Sequence, residues 1–395
     1  MRSARKAVVL ALALATEANL QGSELTAVFT QVQGNVMVAE ATSPIRGQSE
    51  VPPRHAQFLQ VVKSGDRLNL PSGSGAVLLC SSDLLVELTG GNQLRLTDFL
   101  CRKGKPLAPG TYLRLAPAAG RMRSLAGALV LEGESRGGDE DFAVPIVLSP
   151  RNTKLRDARP TILWTQVSEA TEYEIELNGP RTFRLSLDAS QVVCTETWGD
   201  SKACSLPYPT QAPDLPPGTL TFLSVRARLG LASPLREEGK PSRIERLSPG
   251  KVEDIRIKWE RLEALPLDEA ARQLLQADLY AREDLLADAI PAYRRVLAVR
   301  DIPEVRVTLG DALLKIGLLR MAARTYQEAL DRNPGTAVQA AAELGLGRVE
   351  YTRMSFGHAA CHFKKARELY AALGLKREAA AAKRGAREAN GKRPR

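Results

Sequence analysis

The stretch that decides the fold of the C-terminal third is Pro303–Pro334, with the sequence PEVRVTLGDALLKIGLLRMAARTYQEALDRNP. It carries small and large apolar residues at offsets typical of two short helices that cross closely. Gly310 and Ala322 leave room for the crossing, and Tyr326 fills the space beside it. Pro334 stops the second helix because proline has no N–H to donate.

The same offsets recur on both sides of this stretch. They are carried upstream and downstream by Ala277, Tyr280, Ala289, Tyr293, Leu346, Gly347, Ala359, Phe363 and Ala366. Ala289 and Ala322 are 33 residues apart and Ala322 and Ala359 are 37 apart, which predicts a longer loop near residues 335–339. The three units resemble tetratricopeptide repeats, which implies a solenoid of helical hairpins that bury their apolar faces against one another.

In that family the first helix of each pair lines a groove, so the resemblance implies a partner-binding face. Its positions, carried over one by one, are Leu274, Asp278, Arg282, Val307, Asp311, Leu314, Lys315, Arg348, Tyr351 and Thr352. Mixed charges beside apolar side chains suit an extended peptide or a partner helix, although a solvated face explains any single residue as well. Repeats that hold a C-terminal carboxylate use Lys and Asn here. Asp278 and Asp311 stand at the Asn positions, which disfavours that mode.

A capping helix is expected at each end of the repeats, which together span residues 248–390. Ser248 and Pro249 form a helix start, and Ile255, Trp259 and Leu262 follow on one face at helical spacing. The second capping helix is predicted over residues 376–390, and residues 391–395 form a basic tail. That tail could touch an anionic lipid or envelope polymer, or it could serve only as a solubilising end.

The N-terminal region, residues 22–118, has the period of two that indicates β-strands. Gly34 and Asn35 predict a hairpin between two alternating runs. The stretch FLQVVKSGDRLNLPSGSGAVLLCSSDLLVELTGGNQLRL follows, with a Gly-Asp turn at Gly65 and Asp66 before a small-residue turn and an apolar strand. This order resembles the FecR-like β domain of bacterial envelope proteins. The anti-sigma segment and membrane helix of the signalling members are missing, so control of a sigma factor is not carried over.

A second β region is predicted over residues 144–247, after a Gly-, Ser- and charge-rich linker at 119–143. Its short alternating strands include TILWTQV, TEYEIEL, TFRLSL and TFLSVRAR, and frequent turns separate them. The pattern resembles a fibronectin type III or immunoglobulin-like sandwich, with Trp164 as the expected core residue. The predicted fold class is therefore multidomain β plus α, with two small all-β domains before a helical solenoid.

Charge and composition narrow the class of partner. The net charge of +10 comes mostly from the two ends, since Arg2, Arg5 and Lys6 stand at the start and eight Lys or Arg against two Glu follow Ala371. The nearly neutral body disfavours nucleic-acid binding. Residues 1–18 have the basic start, short apolar run and small residues of a signal peptide, or else form a frayed amphipathic terminus. Export to the periplasm or medium is expected, with no membrane span in the mature chain.

The five cysteines suit an oxidising compartment. Cys80 closes one apolar strand and Cys101 the next, while Cys194 and Cys204 bracket a short loop, so each separation permits a local disulfide. The alternative is that these four are small buried hydrophobic residues. Cys361 is predicted to be a buried thiol on a repeat helix.

Residues able to carry chemistry are few. His358 and His362 lie four apart and could face a metal together, but a polar helix face explains the pair as well, and no metal site is predicted. The sequence SGSG at Ser72–Gly75 is a turn and not a nucleophile elbow. LGLG at Leu344–Gly347 lacks the third glycine of a dinucleotide fingerprint. No cofactor and no enzymatic activity are expected.

The sequence therefore predicts a non-enzymatic scaffold of the bacterial envelope. Its repeats would bind a protein or peptide in the groove, and its β modules would position it or contact the cell wall. The alternative is a FecR-type regulatory sensor, in which the β domain binds a ligand and the repeats relay that event to a partner protein.

Overall fold

The structure, a computed structural model, places β-sheets first and helices after them. It describes residues 26–39, 53–56, 61–82, 84–102, 104–106, 144–198, 201–230, 235–237, 241–264 and 267–392. The predicted order of β followed by α is confirmed. The signal peptide, the 119–143 linker and residues 393–395 lie outside the described residues. Within that described part, no helix combines the length and the apolar character needed to cross a bilayer.

The chain forms two compact units, residues 1–119 and 120–395. The elements of the first unit are β1 Thr26–Gln33, β2 Met37–Ala39, β3 Arg54–His55, β4 Val61–Lys63, β5 Arg67–Leu70, β6 Gly75–Cys80, β7 Leu84–Thr89, β8 Asn92–Arg95, α1 Asp98–Arg102 and β9 Lys105–Pro106. They make one sheet of order β4-β1-β6-β7-β9 and one of order β3-β2-β5-β8. Alternate residues such as Leu68 and Leu70 enter a shared apolar core because successive strand side chains point to opposite faces.

The predicted hairpin at Gly34 and Asn35 is wrong. β1 pairs with β4 and β6, whereas β2 pairs with β3 and β5, so the two strands lie in different sheets. Gly34 has a φ of +73°, and a Cβ there would lie 2.9 Å from the Ser74 hydroxyl oxygen. The Asn35 N–H donates to that oxygen over 3.1 Å. Contacts with Ser74, distant in sequence, therefore direct the chain from one sheet to the other.

Cys80 and Cys101 form a disulfide in this unit. Cys80 ends β6, as expected, but Cys101 lies in the short helix α1 and does not close a strand. The apolar residues on either side of Cys80 form two strands, β6 and β7, which pair antiparallel.

The second unit begins with two sheets packed around one core. Their strands are β10 Val147–Ser149, β11 Thr153–Leu155, β12 Ile162–Thr165, β13 Glu172–Asn178, β14 Thr182–Asp188, β15 Val193–Trp198, β16 Ser201–Leu206, β17 Leu220–Arg228, β18 Leu235–Glu237 and β19 Ser242–Arg246. The orders are β10-β12-β16-β15 and β11-β19-β17-β13-β14, with β18 on β17. Trp164 from the first sheet meets Tyr173 from the second, with ring centroids 5.4 Å apart. Cys194 and Cys204 join β15 to β16.

Helices complete the second unit and pack in chain order. They are α2 Pro249–Glu263, α3 Glu269–Arg282, α4 Leu286–Val299, α5 Pro303–Ile316, α6 Leu319–Leu330, α7 Thr336–Thr352, α8 Phe356–Ala372 and α9 Lys376–Gly391. Each contacts its successor, and in addition α5 contacts α7 and α7 contacts α9. The helices α3, α5 and α7 are called the inner helices below, and α4 and α6 the outer helices.

Tyr326 of α6 packs against glycines of both α5 and α7. A Cβ on Gly310 of α5 would lie 2.6 Å from its ring, and a Cβ on Gly345 of α7 would lie 2.3 Å from it. The ring is fully buried, so it occupies space that exists only because both neighbouring inner helices carry glycine. Phe363 of α8 has the same relation to Gly347, whose added Cβ would lie 2.6 Å from that ring.

The turns inside the helical pairs use left-handed backbone at matching places. Gly317 ends α5 with a φ of +86°, whereas Met354, 37 residues later, has a φ of +64° and a largely exposed side chain.

Met354→Gly should remove the strain of this left-handed conformation. A Cβ makes the conformation cost about 1–2 kcal/mol, while glycine raises the entropy of the unfolded chain by about 0.5–1 kcal/mol. We therefore expect Met354→Gly to raise the free energy of unfolding by about 0.5–1 kcal/mol. Urea unfolding measures it. Met354→Ala, which keeps the Cβ, should show no gain; an equal gain would refute this explanation.

Side chains from the two-sheet region cap the ends of two helices, the N-terminal end of α4 and the C-terminal end of α5. Leu285, at the N-cap of α4, makes no side-chain cap bond. The Thr153 hydroxyl of β11 instead accepts from the Leu286 N–H over 2.7 Å and donates to the Asp284 carbonyl over 2.8 Å. At the C-terminal end of α5, Arg151 Nε donates to the Ile316 carbonyl over 2.8 Å. These groups would otherwise be the unpaired backbone ends of helices.

Candidate functional site

The face predicted from the repeats divides into buried and accessible residues. Leu274 and Val307 are only 5% and 1% exposed, so they pack inside the helices and offer no area to a partner. Arg282 and Lys315 are exposed, and the rest are partly buried: Asp278, Asp311, Leu314, Arg348, Tyr351 and Thr352. These positions were carried over from the repeat resemblance, which does not separate side chains on the surface of a groove from those in the layer behind it.

Four charged residues of the inner helices form what is called the polar row: Asp278, Arg282, Asp311 and Arg348. Two tyrosine hydroxyls from the outer helices hold its carboxylates. Tyr293 donates to Asp278 Oδ1 over 2.7 Å, and Tyr326 donates to Asp311 Oδ1 over 2.6 Å. Because both rings are fully buried, the hydroxyls fix the two carboxylates from behind.

Electrostatics connects the members of the row. Burial raises the pKa of Asp311, while the Tyr326 hydrogen bond and the charge of Arg348 oppose that rise. Burial and the Asp311 carboxylate together raise the pKa of Tyr326 well above its ordinary value. The pKa of Tyr293 is raised in the same way by burial and by Asp278, with Arg282 opposing. The two tyrosines therefore stay protonated donors at neutral pH.

A third hydroxyl lies near the same row. Tyr370 of α8 is 2% exposed, and its hydroxyl has no hydrogen-bond partner within the described residues. Burial raises its pKa, and the charges of Asp311 and Arg348 act on it in opposite directions. A buried polar atom without a partner carries a desolvation cost, so this hydroxyl is a polar group that a bound molecule or water could satisfy.

The remaining predicted residues have local partners. Lys315 pairs with Asp284 in the turn before α4. Thr352 donates to the Arg348 carbonyl over 2.9 Å. Tyr351 packs edge-on against Phe356, and the Lys392 ammonium lies 5.0 Å from its ring centroid. Lys392 belongs to the predicted basic tail, residues 391–395, but α9 ends at Gly391 and places Lys392 against Tyr351 of α7.

The histidine pair faces carboxylates of α7. His362 Nδ1 lies 2.6 Å from Glu343 Oε2, and His358 Nδ1 lies 3.9 Å from Glu350 Oε2. Burial raises the pKa of Glu343, but the contacts with His362 and Lys365 together outweigh burial, and the net pKa is lowered. Among the residues described, no three His, Cys, Asp or Glu side chains come together as metal ligands.

Cys361, between the two histidines in sequence, is exposed and not buried as predicted. Its neighbours Ala359 and Phe363 are buried. Two residues along a helix correspond to about 200° of rotation, so Cys361 faces away from them.

The sequence analysis missed the tyrosine–aspartate hydrogen bonds of this candidate site. A usable signal exists: each Tyr lies 15 residues after its Asp. At the same separation the third unit has Phe363 and Arg348, so the hydroxyl and the carboxylate are replaced together. Tyr370 and Gly345 carry no comparable repeat signal.

The raised pKa of Asp311 predicts a pH-dependent stability. A carboxyl with a folded-state pKa above its unfolded value stabilises the fold fully below the unfolded value of about 3.9, and that contribution is lost as pH rises through the folded pKa. We therefore expect the stability of Asp311→Asn relative to wild type to increase as pH rises from about 3.5 and then to level off. Denaturant unfolding at each pH measures it.

Tyr326→Phe is the matched variant for this pH series. It removes the hydrogen bond that lowers the pKa of Asp311, so the fall in stability should extend to higher pH than in wild type. A difference between wild type and Asp311→Asn that stays constant across the series would show that Asp311 titrates normally.

Comparison with known proteins does not identify a family or a function for this site. The sequence matches no family model and no curated protein.

Proposed function

We propose that the helices α3–α8 form three tetratricopeptide-like units and that the protein is a non-enzymatic scaffold. Its partner, an extended peptide or a helix of another protein, binds along the inner helices. The spacing of the units, the close crossing of α5 and α6 at Gly310, and the contacts of α7 with α5 and α9 support this proposal.

The polar row is the observation that carries the proposal. Asp278 and Asp311 are held in place by buried hydroxyls, and Arg282 and Arg348 lie close enough to act on the same groups. Because the tyrosine hydroxyls fix these charged side chains before a partner binds, the side chains lose less entropy on binding. Its mixed signs suit the polar groups of a peptide backbone and an acidic side chain.

The β modules are proposed to position the scaffold in the bacterial envelope, as FecR-like and fibronectin-like domains would. The disulfides Cys80–Cys101 and Cys194–Cys204 support an extracytoplasmic location, because such bridges persist in oxidising compartments. The capping bonds from Thr153 and Arg151 keep the sandwich at a defined place on the array.

Charge reversal at Arg282 tests the binding face. This side chain is exposed on α3, so Arg282→Glu should leave folding intact while weakening partner binding by about tenfold or more. The tagged protein is used to recover partners from the envelope fraction, and the affinity of the recovered partner is then measured. Arg295→Glu, an exposed arginine on the outer helix α4, is the matched control. Equal loss in both variants, or in neither, would exclude the inner helices as the binding face.

A further inference from the structure

The last helix, α9, packs on the array through small residues. Ala382 and Ala389 are fully buried, and a Cβ added to Gly385 would lie 3.0 Å from the Phe363 ring of α8. With about 3.6 residues per turn, these three positions fall on one side of the helix. Small residues there let α9 lie close against α8. The opposite side of α9 faces the solvent.

The solvent side of α9 is positively charged. It carries five exposed residues that are called the cationic stripe: Lys376, Arg377, Lys383, Arg384 and Arg387. They fall within about 120° of the helix circumference, opposite Ala382 and Ala389, and they span about 16 Å of the helix length. Of the two carboxylates on α9, Glu378 is partly buried outside the stripe and Glu388 lies at its border.

Helix stability does not explain the cationic stripe. Lys376 and Arg377 stand in the first turn of α9, where the positive end of the helix dipole disfavours cations. The last turn of α9, where a cation would be favoured, contains no basic residue. Lys383 and Arg387 are one turn apart, and like charges at this spacing weaken a helix. The arrangement lowers the stability of α9, which indicates that the charges serve a partner.

The cationic stripe is not neutralised within the protein. Among the residues that the structure describes, none of its five members forms an ion pair or a side-chain hydrogen bond. Arg256 of α2 shows the contrast, because it is exposed but pairs with Glu253 and Glu260 of its own helix. The five charges of the stripe are therefore available to an anionic partner.

The surroundings of the stripe narrow the class of that partner. A helix that binds a membrane surface inserts its apolar side among the lipids, but the apolar side of α9 packs on α8. Single-stranded nucleic acid is held by aromatic side chains that stack on its bases, and α9 contains no aromatic residue. A peptide needs recesses for its apolar side chains, whereas this side of α9 is a convex row of cations with Ala380 between them. A hydrophilic chain with repeated negative charge fits the stripe best.

We propose that the cationic stripe binds a linear acidic polysaccharide, a chain of sugars that carries repeated carboxylates. The Lys-Arg pair at Lys376 and Arg377 recurs at Lys383 and Arg384, about 10 Å further along the helix. Successive carboxylates of an extended chain can pair with successive Lys-Arg pairs, and guanidinium groups bind carboxylates in a two-point geometry. Each contact is weak, but linked contacts add up to stable binding. This surface does not involve the polar row and goes beyond the scaffold function proposed above.

Polygalacturonate, which carries a carboxylate on each sugar, is the probe. Titrated into the full chain by calorimetry, it should bind with an affinity that falls as salt is added, because binding releases the ions held along a charged polymer. Galacturonate oligomers should bind more tightly with increasing length until they span the stripe, and neutral dextran should not bind. Absence of binding, or equal binding of the single sugar and the polymer, would overturn the proposal.

Two other anions test the class of partner. They are vesicles that contain phosphatidylglycerol and a single-stranded DNA oligonucleotide with the same number of charges as the polygalacturonate. We expect both to bind more weakly, because α9 has neither a free apolar side for lipid nor aromatic side chains for bases. Equal or tighter binding of either would overturn the proposal and assign the stripe to a membrane or to nucleic acid.

Charge reversal on α9 locates the site. Lys383→Glu combined with Arg384→Glu should lower the affinity for polygalacturonate about tenfold or more, since two attractions become repulsions. A glutamate at position 383 lies one turn before Arg387 and supports the helix, so folding is preserved. Arg181→Glu combined with Arg295→Glu is the matched control, because both arginines are exposed outside α9 and the change in net charge is the same. Equal loss in the two double variants would show attraction by net charge alone and would contradict a site on α9.

A second pair of substitutions tests the other end of the stripe. Lys376→Gln combined with Arg377→Gln removes cations from the first turn and should therefore not destabilise α9. It should weaken polygalacturonate binding about threefold or more and reduce its dependence on salt. Unchanged affinity in both stripe variants would place the polymer elsewhere. Failure of the Arg282→Glu test would not affect these results, since Arg282 is on α3.

Discussion

Tyr326→Ala is expected to lower the free energy of unfolding by about 3–5 kcal/mol, the range for removing a buried aromatic side chain. The ring is fully buried between Gly310 and Gly345, and glycines cannot move side chains into the space it leaves. The substitution also removes the hydroxyl that donates to Asp311 over 2.6 Å. Equilibrium denaturation with urea measures the loss.

Two controls separate the ring from its hydroxyl and from burial in general. Tyr326→Phe keeps the ring and should cost only about 1–2 kcal/mol for the hydrogen bond. Tyr351→Ala, at a partly buried tyrosine of α7, should cost less than Tyr326→Ala. A small loss in Tyr326→Ala would mean that α5 and α7 close over the gap, and that the ring does not set their spacing.

Gly345→Ala tests this packing because it should destabilise the wild type but stabilise the Tyr326→Ala variant. In the wild type its Cβ would lie 2.3 Å from the Tyr326 ring, so the variant should be destabilised by about 1–3 kcal/mol. In the Tyr326→Ala background the same substitution enters empty space and gains helix propensity of about 1 kcal/mol. Gly250→Ala, where nothing lies within 4 Å, should not destabilise either background. Equal effects of Gly345→Ala in the two backgrounds would contradict the contact.

Thr153→Val is expected to lower the free energy of unfolding by about 1–3 kcal/mol, the cost of one unsatisfied buried polar group. Valine has nearly the same shape, but it leaves the buried Leu286 N–H without its acceptor. The Asp284 carbonyl loses one donor but still accepts from the Lys154 N–H over 2.9 Å. The loss should also weaken the association of sandwich and helices, since Thr153 lies where β11 meets α4.

The measurement for Thr153→Val therefore needs two probes. Helical far-UV signal reports the array, and Trp164 emission, with Trp198 and Trp259 replaced by Phe, reports the sandwich core. The midpoints should coincide in the parent protein and separate in Thr153→Val. Thr195→Val, an exposed threonine of β15, is the matched control and should behave as the parent. Coincident midpoints and a loss below about 1 kcal/mol would show that the cap is dispensable.

The tyrosine–aspartate pairs show which features the repeat pattern can predict and which it cannot. The repeat offsets predicted that Tyr293 and Tyr326 pack between helices, and both side chains are fully buried. They did not indicate that each hydroxyl reaches a carboxylate, because that depends on the distance between two helices. Leu274 and Val307 show the same limit, since a shared repeat position did not distinguish an accessible wall from the layer beneath it.

The sequence by itself determined the features that depend on short-range periodicity and chain stiffness. These are the order of β before α, the core position of Trp164, and the helical pairs around Gly310, whereas the two disulfides were only one of two alternatives until the structure showed them. Only the tertiary structure decided which strands share a sheet after Gly34 and which residue caps α4. Such contacts join residues far apart in the chain, and packing and hydrogen-bond satisfaction select them after the local elements have formed.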